Sequence, residues 1–226
     1  MEQRKFLVRN ISHELKTPIG VIKGYAEGLQ FGVVEDKEKT EKYCQVIAAE
    51  CDRMDEMVRE LLNLSMLESG TFTMNATCFA ADKIVQSVVE RFAPLMDEKE
   101  IICNALISES ELCINADYDL IERAVSNFLT NALNHIDDNK VIEVGAQSVE
   151  NYIRISIYNS GAHISQQDLT SIWDIFYKTD QARTRQYGGH GLGLSIVRLI
   201  AQLHGGKYGV ENVQDGVLFY IEIPKQ

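Results

Sequence analysis

No apolar run in the 226 residues approaches the roughly 18–20 that a membrane-crossing helix needs, and no signal peptide opens the chain. Basic residues are scarce: 22 Lys and Arg stand against 33 Asp and Glu, a net charge of -11. That balance argues against a duplex nucleic-acid partner, because phosphate binding rests on clustered Lys and Arg. Cysteines show no pairing pattern. The five, at 44, 51, 78, 103 and 113, are odd in number and lack CxxC spacing, so they read as reduced thiols of a cytosolic protein. Internal repeats and low-complexity tracts are lacking as well. What is there, 45% hydrophobic and 24% charged, is an ordinary globular composition, with length for one large domain or two smaller ones. The opening "MEQRKFLVRN" already lies within a helical pattern, so a piece of a longer chain is expected.

Apolar residues recur at Val8, Ile11, Leu15, Ile19, Ile22, Ala26 and Leu29, in alternating steps of three and four. A second stripe runs through Cys44, Ile47, Cys51, Met54, Val58 and Leu61, with its cysteines behaving as small hydrophobes. Heptad-like spacing marks two helices that pack along a narrow seam, joined by a charged turn within "FGVVEDKEKT". Two such helices make a thin core alone, and a homodimeric four-helix bundle is the simple way to bury both stripes. After "LESGTFTMN" the period changes. "ADKIVQSVVERFAPLM", "DYDLIERAVSNFLTNALNHI" and "GLGLSIVRLIAQLHGG" read as amphipathic helices, the last ended by Gly205 and Gly206. "NYIRISIYNSG" and "VLFYIEI" alternate as strands do. The predicted fold is therefore α+β: a helical hairpin over residues 1–70, forming a dimeric bundle, then an α/β sandwich over residues 71–226 with a mixed sheet and helices on one face.

His13, in "SHELKTP", lies two positions from both Ile11 and Leu15 and so points away from the seam. That removes the core reading. Metal binding would want further ligands, and the helix supplies only Glu14 nearby. On position alone His13 is an ordinary surface histidine; its neighbours say more. Thr17 sits one turn along the same face. Glu14 can polarise the ring N–H and so raise the nucleophilicity of the other nitrogen. Pro18 offers no N–H to the Glu14 carbonyl, which predicts a kink just beyond the histidine. The group suits a nucleophile that meets partners from outside.

Four blocks follow in the second half. "NFLTNALNH" places Asn127 and Asn131 on one helix face within an apolar stretch, where amide oxygens suit Mg²⁺. "YNSGAHI" is turn chemistry after a strand. "IWDIFYKTD" carries Trp173, Phe176 and Tyr177, a composition that on its own is core. "GGHGLGLSIV" concentrates Gly188, Gly189, Gly191 and Gly193 before a helix, where backbone N–H groups and the helix dipole can approach phosphates. It is neither a Walker loop nor a dinucleotide fingerprint. The acidic net charge leaves room for a nucleotide, which needs only a local pocket.

Taken in order and spacing, these blocks resemble the sensor histidine kinases of bacteria over nearly the whole chain. "FLVRNISHELKTPIGVIKGYAEGL" is similar to their dimerisation and phosphoacceptor domain, and the rest to their ATP-binding domain of the fold shared with gyrase, Hsp90 and MutL. The resemblance implies that His13 takes the γ-phosphoryl group of ATP and passes it to an aspartate on a response regulator receiver domain. It makes Glu14 the acid/base partner and Thr17 the residue that positions water for dephosphorylating the regulator. It implies Asn131 as the Mg²⁺ ligand with Asn127 beside it, and Glu122 and Arg123 as helpers. Asn159 and Gly161 fall on the block that contacts adenine, and Gly189, Gly191, Leu192 and Gly193 on the phosphate-side block. "KTDQARTRQYGG" resembles the lid over ATP, anchored by the preceding aromatics.

Three positions depart from the family's pattern. Asn134 and His135 stand where a Lys-Tyr pair is common, leaving Lys178, Arg183 and Arg185 as candidates for the phosphate contact. Asn159 stands for an aspartate, and its carbonyl can still accept from the adenine amino group. His163 stands for the block's second glycine. The expectations are an ATP- and Mg²⁺-dependent, homodimeric kinase core in the cytoplasm, reaching a membrane only through segments absent from this chain. The alternatives are a non-catalytic dimeric nucleotide-binding scaffold and an ATPase of the gyrase or Hsp90 kind.

Overall fold

The computed structural model describes residues 2–31, 36–69, 72–106, 112–179 and 191–225, with side chains from residue 8 onward. The chain divides into two compact units, Met1–Ser65 and Met66–Gln226.

The first unit is a helical hairpin. Helix α1 spans Glu2–Gln30 and runs on through Pro18, and α2 spans Lys37–Glu68. The two helices meet where Tyr25 and Tyr43 pack edge to face, with ring centroids 4.7 Å apart. Gly28 leaves the room: a Cβ there would lie 2.9 Å from the Tyr43 ring. The seam residues are only partly covered. Leu15, Ile22, Leu29 and Leu61 are half-buried, while Val8 is 60% exposed, Ile19 51% and Val58 43%; Leu62, next to the predicted stripe, is 61% exposed. Cys44 and Cys51 on the same stripe are exposed, and none of the five cysteines is in a disulfide.

The second unit is an α/β sandwich. Its elements are β1 (Ala76–Ala80), α3 (Ala81–Glu98), β2 (Ile102–Leu106), β3 (Cys113–Asp117), α4 (Tyr118–His135), β4 (Val141–Val149), β5 (Tyr152–Ser160), α5 (Asp168–Ser171), α6 (Gly193–Leu203), β6 (Lys207–Val213) and β7 (Gly216–Pro224). Strands β2-β4-β5-β7-β6 form one mixed sheet, parallel only between β2 and β4, and β1 pairs with β3 in a separate antiparallel ribbon. Alternation in β5 explains the layering. Ile153, Ile155 and Ile157 are buried, while Tyr152, Arg154, Ser156 and Tyr158 on the other face are half-exposed. The buried side meets α3, α4 and α6, whose own apolar stripes include Ile84, Val85, Ile121, Phe128, Ile196 and Ile200, all fully buried.

The helix-free face covers itself with its own side chains. A Cβ at Gly209 would run into the Tyr220 ring, and one at Gly216 into the Asn159 carbonyl and the Tyr158 ring. Arg154 lies 3.9 Å from the Tyr220 ring centroid and donates from two nitrogens to the buried Glu222, at 2.9 and 2.7 Å. Burial pushes the Tyr158 hydroxyl up to about 12, helped by its 2.8 Å bond to Asp215 and by the charges of Asp215, Glu143 and Asp137.

Helix α4 carries most of the candidate chemistry, and its start is firmly held. Asp117 is its N-cap, accepting from Leu120 N–H at 3.2 Å and from Asn75 N–H at 2.9 Å. His204, beyond the end of α6, accepts the Asp117 N–H on Nε2 at 3.0 Å and donates from Nδ1 to the Ile200 carbonyl at 2.7 Å. Both ring nitrogens are thereby assigned, and the end of α6 is fixed to the start of α4.

Candidate functional site

On the hairpin, His13 and Thr17 are exposed on α1 and Glu14 is half-buried, so the turn faces outward as its position in the stripe predicts. Pro18 beneath it is buried. Ser12 returns its hydroxyl to the Val8 carbonyl at 2.8 Å and leaves the imidazole clear.

In the sandwich, the residues singled out by sequence gather around the C-terminal half of α4. Asn127 donates from Nδ2 to the Gly193 carbonyl at 3.1 Å, tying α4 to the first residue of α6. Its Oδ1 is left as an acceptor. Asn131, one turn on, is half-buried, and its side chain makes no hydrogen bond among the described residues. No cluster of three or more His, Cys, Asp or Glu occurs among the described residues. This amide-oxygen setting fits Mg²⁺, which takes few protein ligands and fills its octahedron with waters and phosphate oxygens. Glu122, expected as a helper, is turned to α3 instead: it accepts from Arg91 at 3.3 Å and from the Ser87 hydroxyl at 3.5 Å.

Asn159 is the penultimate residue of β5 and is 2% exposed. Its Nδ2 donates to the Ser160 carbonyl at 3.0 Å, while its Oδ1 is buried with no hydrogen-bond partner. A buried acceptor left unpaired costs about 1–3 kcal/mol. A donor arriving from outside removes that cost, so the atom is suited to an exocyclic amine. Gly161 follows with φ +151, and a Cβ there would lie 2.7 Å from the His135 carbonyl. The block therefore passes against the last turn of α4, where Asn134 and His135 are both half-buried. His163 is exposed and donates from Nε2 to the Gln214 carbonyl at 2.9 Å. Asn212 then clasps Ile164, accepting its N–H at 2.9 Å and donating to its carbonyl at 2.8 Å. The position that departs from a second glycine is thus a strap onto the β6–β7 turn.

The aromatic block divides. Trp173 is core, packed on Phe128, Tyr208 and Phe219. Tyr177 donates its hydroxyl to Asp168, which with Ser165 holds that carboxyl below its usual range. Phe176 N–H reaches the Gly191 carbonyl at 2.8 Å, and Gly191, at φ +73, sits so near that a Cβ would be 3.0 Å from the Phe176 backbone. Lys178 is half-buried just beyond this neck. Leu192 is fully buried, which leaves its backbone rather than its side chain to face a ligand. Gly188, Gly189, Arg183 and Arg185 lie outside the described residues. Ser160 and Asp137, which bond around Asn159, were not foreseen. Asp117 was not foreseen either, although an aspartate just ahead of a periodic apolar run is a readable capping signal.

An exposed imidazole on a helical hairpin, and in the same chain an α/β sandwich with an asparagine-bearing helix and a buried unpaired acceptor, make up a two-module phosphotransfer core. Residues 3–70 match the His Kinase A (phospho-acceptor) domain, and residues 116–226 match the histidine kinase-, DNA gyrase B-, and HSP90-like ATPase family. The sensor histidine kinase WalK of Bacillus subtilis is 30% identical over 216 residues, 94% of this chain and 35% of that protein. Among solved structures, the catalytic domain of the histidine kinase ThkA is 30% identical, with a TM-score of 0.60 over 67% of this chain and 97% of that one. ThkA in complex with the response regulator protein TrrA is 27% identical, with a TM-score of 0.80 over 97% of this chain and 61% of that one. The chain belongs to the sensor histidine kinases, as the protein-histidine kinase core with its ATP-binding module. It spans between 35% and 54% of the length of the curated relatives it matches first.

Proposed function

We propose that this core phosphorylates its own His13 from ATP and hands the phosphoryl group to an aspartate of a response regulator receiver domain. The observation that carries the proposal is the exposed His13–Thr17 turn on the phosphoacceptor hairpin. In the first step a ring nitrogen of neutral His13 attacks the γ-phosphorus, a P–N bond forms, and the bond to the ADP oxygen breaks. Glu14, adjacent, holds the proton on the other ring nitrogen and takes up the charge that develops there. In the second step a regulator carboxylate attacks, the P–N bond breaks and an acyl phosphate forms. Thr17, one turn along, holds water in line for hydrolysis of that acyl phosphate, which gives the core its regulator-phosphatase activity.

On the donor side, Asn159 takes the adenine amino group on its empty Oδ1, with Gly161 keeping the approach close. Asn131 would hold Mg²⁺ with Asn127 beside it, and the ion when bound would neutralise charge on the phosphates. Gly189, Gly191, Leu192 and Gly193 contribute backbone on the phosphate side. Asn134, His135, Lys178, Arg183 and Arg185 are the candidate phosphate contacts in place of the family's lysine.

The domain division follows the same reading: residues 1–70 dimerise and carry His13, and residues 71–226 bind ATP. The exposed seam supports a homodimer. The chain works in the cytoplasm, where ATP and receiver domains meet, and any membrane anchoring belongs to segments outside it.

The test is incubation with γ-labelled ATP and Mg²⁺. Wild type acquires acid-labile, base-stable label, and His13→Gln loses it while ATP affinity stays within about two-fold, since acceptor and pocket belong to different modules. Persistent base-stable label in His13→Gln would remove the assignment. Nucleotide binding without label in wild type would favour a non-catalytic scaffold, the reading that Asn134, Asn159 and His163 favour.

A further inference from the structure

An amide, unlike a carboxylate, has a wrong way round. Asn159 presents an acceptor to the base site only while its Nδ2 points back into the protein, and the structure holds it so through Ser160. The Ser160 carbonyl accepts Asn159 Nδ2 at 3.0 Å and Asp137 N–H at 3.3 Å. The Ser160 hydroxyl, in a residue 1% exposed, donates to Asp137 Oδ1 at 2.6 Å and accepts Val141 N–H at 3.2 Å. Asp137 is held in turn by Asn139, whose N–H reaches Oδ1 at 3.0 Å and whose Nδ2 reaches Oδ2 at 3.1 Å. Rotating the Asn159 amide by half a turn would break the bond to Ser160, set two carbonyl oxygens face to face and turn a donor toward the base.

We infer that Ser160 and Asp137 are positioning residues that keep the Asn159 amide oxygen-inward and so set the base preference of the site. Held this way, Asn159 accepts from a 6-amino purine and opposes the carbonyl of a 6-oxo purine, acceptor against acceptor. The inference rests on the nucleotide reading above. It also gives the asparagine at this position a requirement that an aspartate does not have, because both oxygens of a carboxylate accept and neither rotation exposes a donor.

The experiment is displacement of a fluorescent ATP analogue from the purified chain by ATP and by GTP, with thermal melting of each variant alongside. Wild type prefers ATP. Ser160→Ala lowers the ATP-to-GTP preference by about ten-fold, and Asp137→Ala, a second route to the same loosening, lowers it similarly. In the Asn159→Asp background one oxygen faces the Ser160 carbonyl in either rotation, which weakens both nucleotides alike, and the same substitutions change the preference by less than about two-fold because no rotation exposes a donor. Equal losses in both backgrounds would make Ser160 and Asp137 merely structural, and an unchanged preference in folded Ser160→Ala would overturn the inference directly. A wild-type chain that binds neither nucleotide overturns the nucleotide reading itself, an outcome separate from loss or retention of selectivity.

Discussion

At the scale of single residues, the hairpin separates two activities along one turn of helix. Thr17 and His13 are both exposed on α1, four positions apart, and only His13 forms a bond to phosphorus in the proposed mechanism. Thr17→Ala should keep autophosphorylation within a few-fold of wild type, alanine being the better helix former. Regulator dephosphorylation should fall about ten-fold or more, the scale of one positioning contact of roughly 1.4 kcal/mol. Decay of purified phosphorylated regulator with ADP present, beside autophosphorylation of the same preparation, checks both; a joint fall would make Thr17 structural. Much at this scale was legible. The face of His13 follows from helical periodicity, and "YNSGAHI" points at Asn159. The direction of the Asn159 amide was not legible, because it is set by Ser160 and by Asp137, which sits 23 residues before Ser160. Short-range pattern carries no information about which end of an amide finds a partner across a fold.

At the scale of elements, α4 depends on how its first turn is finished. Asp117 is 6% exposed, and its carboxylate takes one N–H from within the helix and one from Asn75. Asp117→Ala removes the cap and strands a donor, about 2–3 kcal/mol when a cap and a buried unpaired amide are combined. Asp117→Asn keeps one accepting oxygen but sets its NH2 against the other N–H, so it should lose about 1–3 kcal/mol, the scale of one buried group left unpaired. Urea unfolding followed through the transition of the sandwich measures both, and an asparagine variant as stable as wild type would mean that only one of the two oxygens is needed. The elements that could be read were those with an uninterrupted period: α1, α2, α3, α4, and the alternations of β5 and β7. The ones passed over break their own pattern. Strand β4 carries Gly145, with Leu106 of the neighbouring strand only 2.9 Å from where its Cβ would be, and β6 carries Gly209 among polar residues. Strands β1 and β3 are five residues each and pair only with one another, so long-range pairing, not local preference, makes them strands. The last helix was expected from Gly191 and begins at Gly193, because Gly191 is held by Phe176 outside the helix.

At the scale of the molecule, the hairpin leaves a stripe that one chain does not cover. Val8, Ile19, Val58 and Leu62 are each more than two-fifths exposed, and a second copy buries such a stripe most simply. Wild type should therefore run as a dimer by light scattering. Val58→Asp should raise the dimer dissociation constant by about a hundred-fold or more, roughly 2.7 kcal/mol, because the interface would take up two unpaired carboxylates, one from each copy. A dimer of unchanged strength would mean that the stripe is covered some other way. The helix-free face of the sheet has the opposite character, with the rings of Tyr220 and Tyr158 occupying the space over Gly209 and Gly216. For the history of the sequence this makes substitution directional. A side chain enters at Gly209 only if the Tyr220 ring moves off it, and the ring can be lost first and the glycine replaced afterwards; at Gly216 the Asn159 carbonyl also stands in the way, so loss of the Tyr158 ring does not free that position. Lineages that diverge at Gly209 should thus change the aromatic before the glycine, and the intermediate they pass through keeps the glycine under a missing ring.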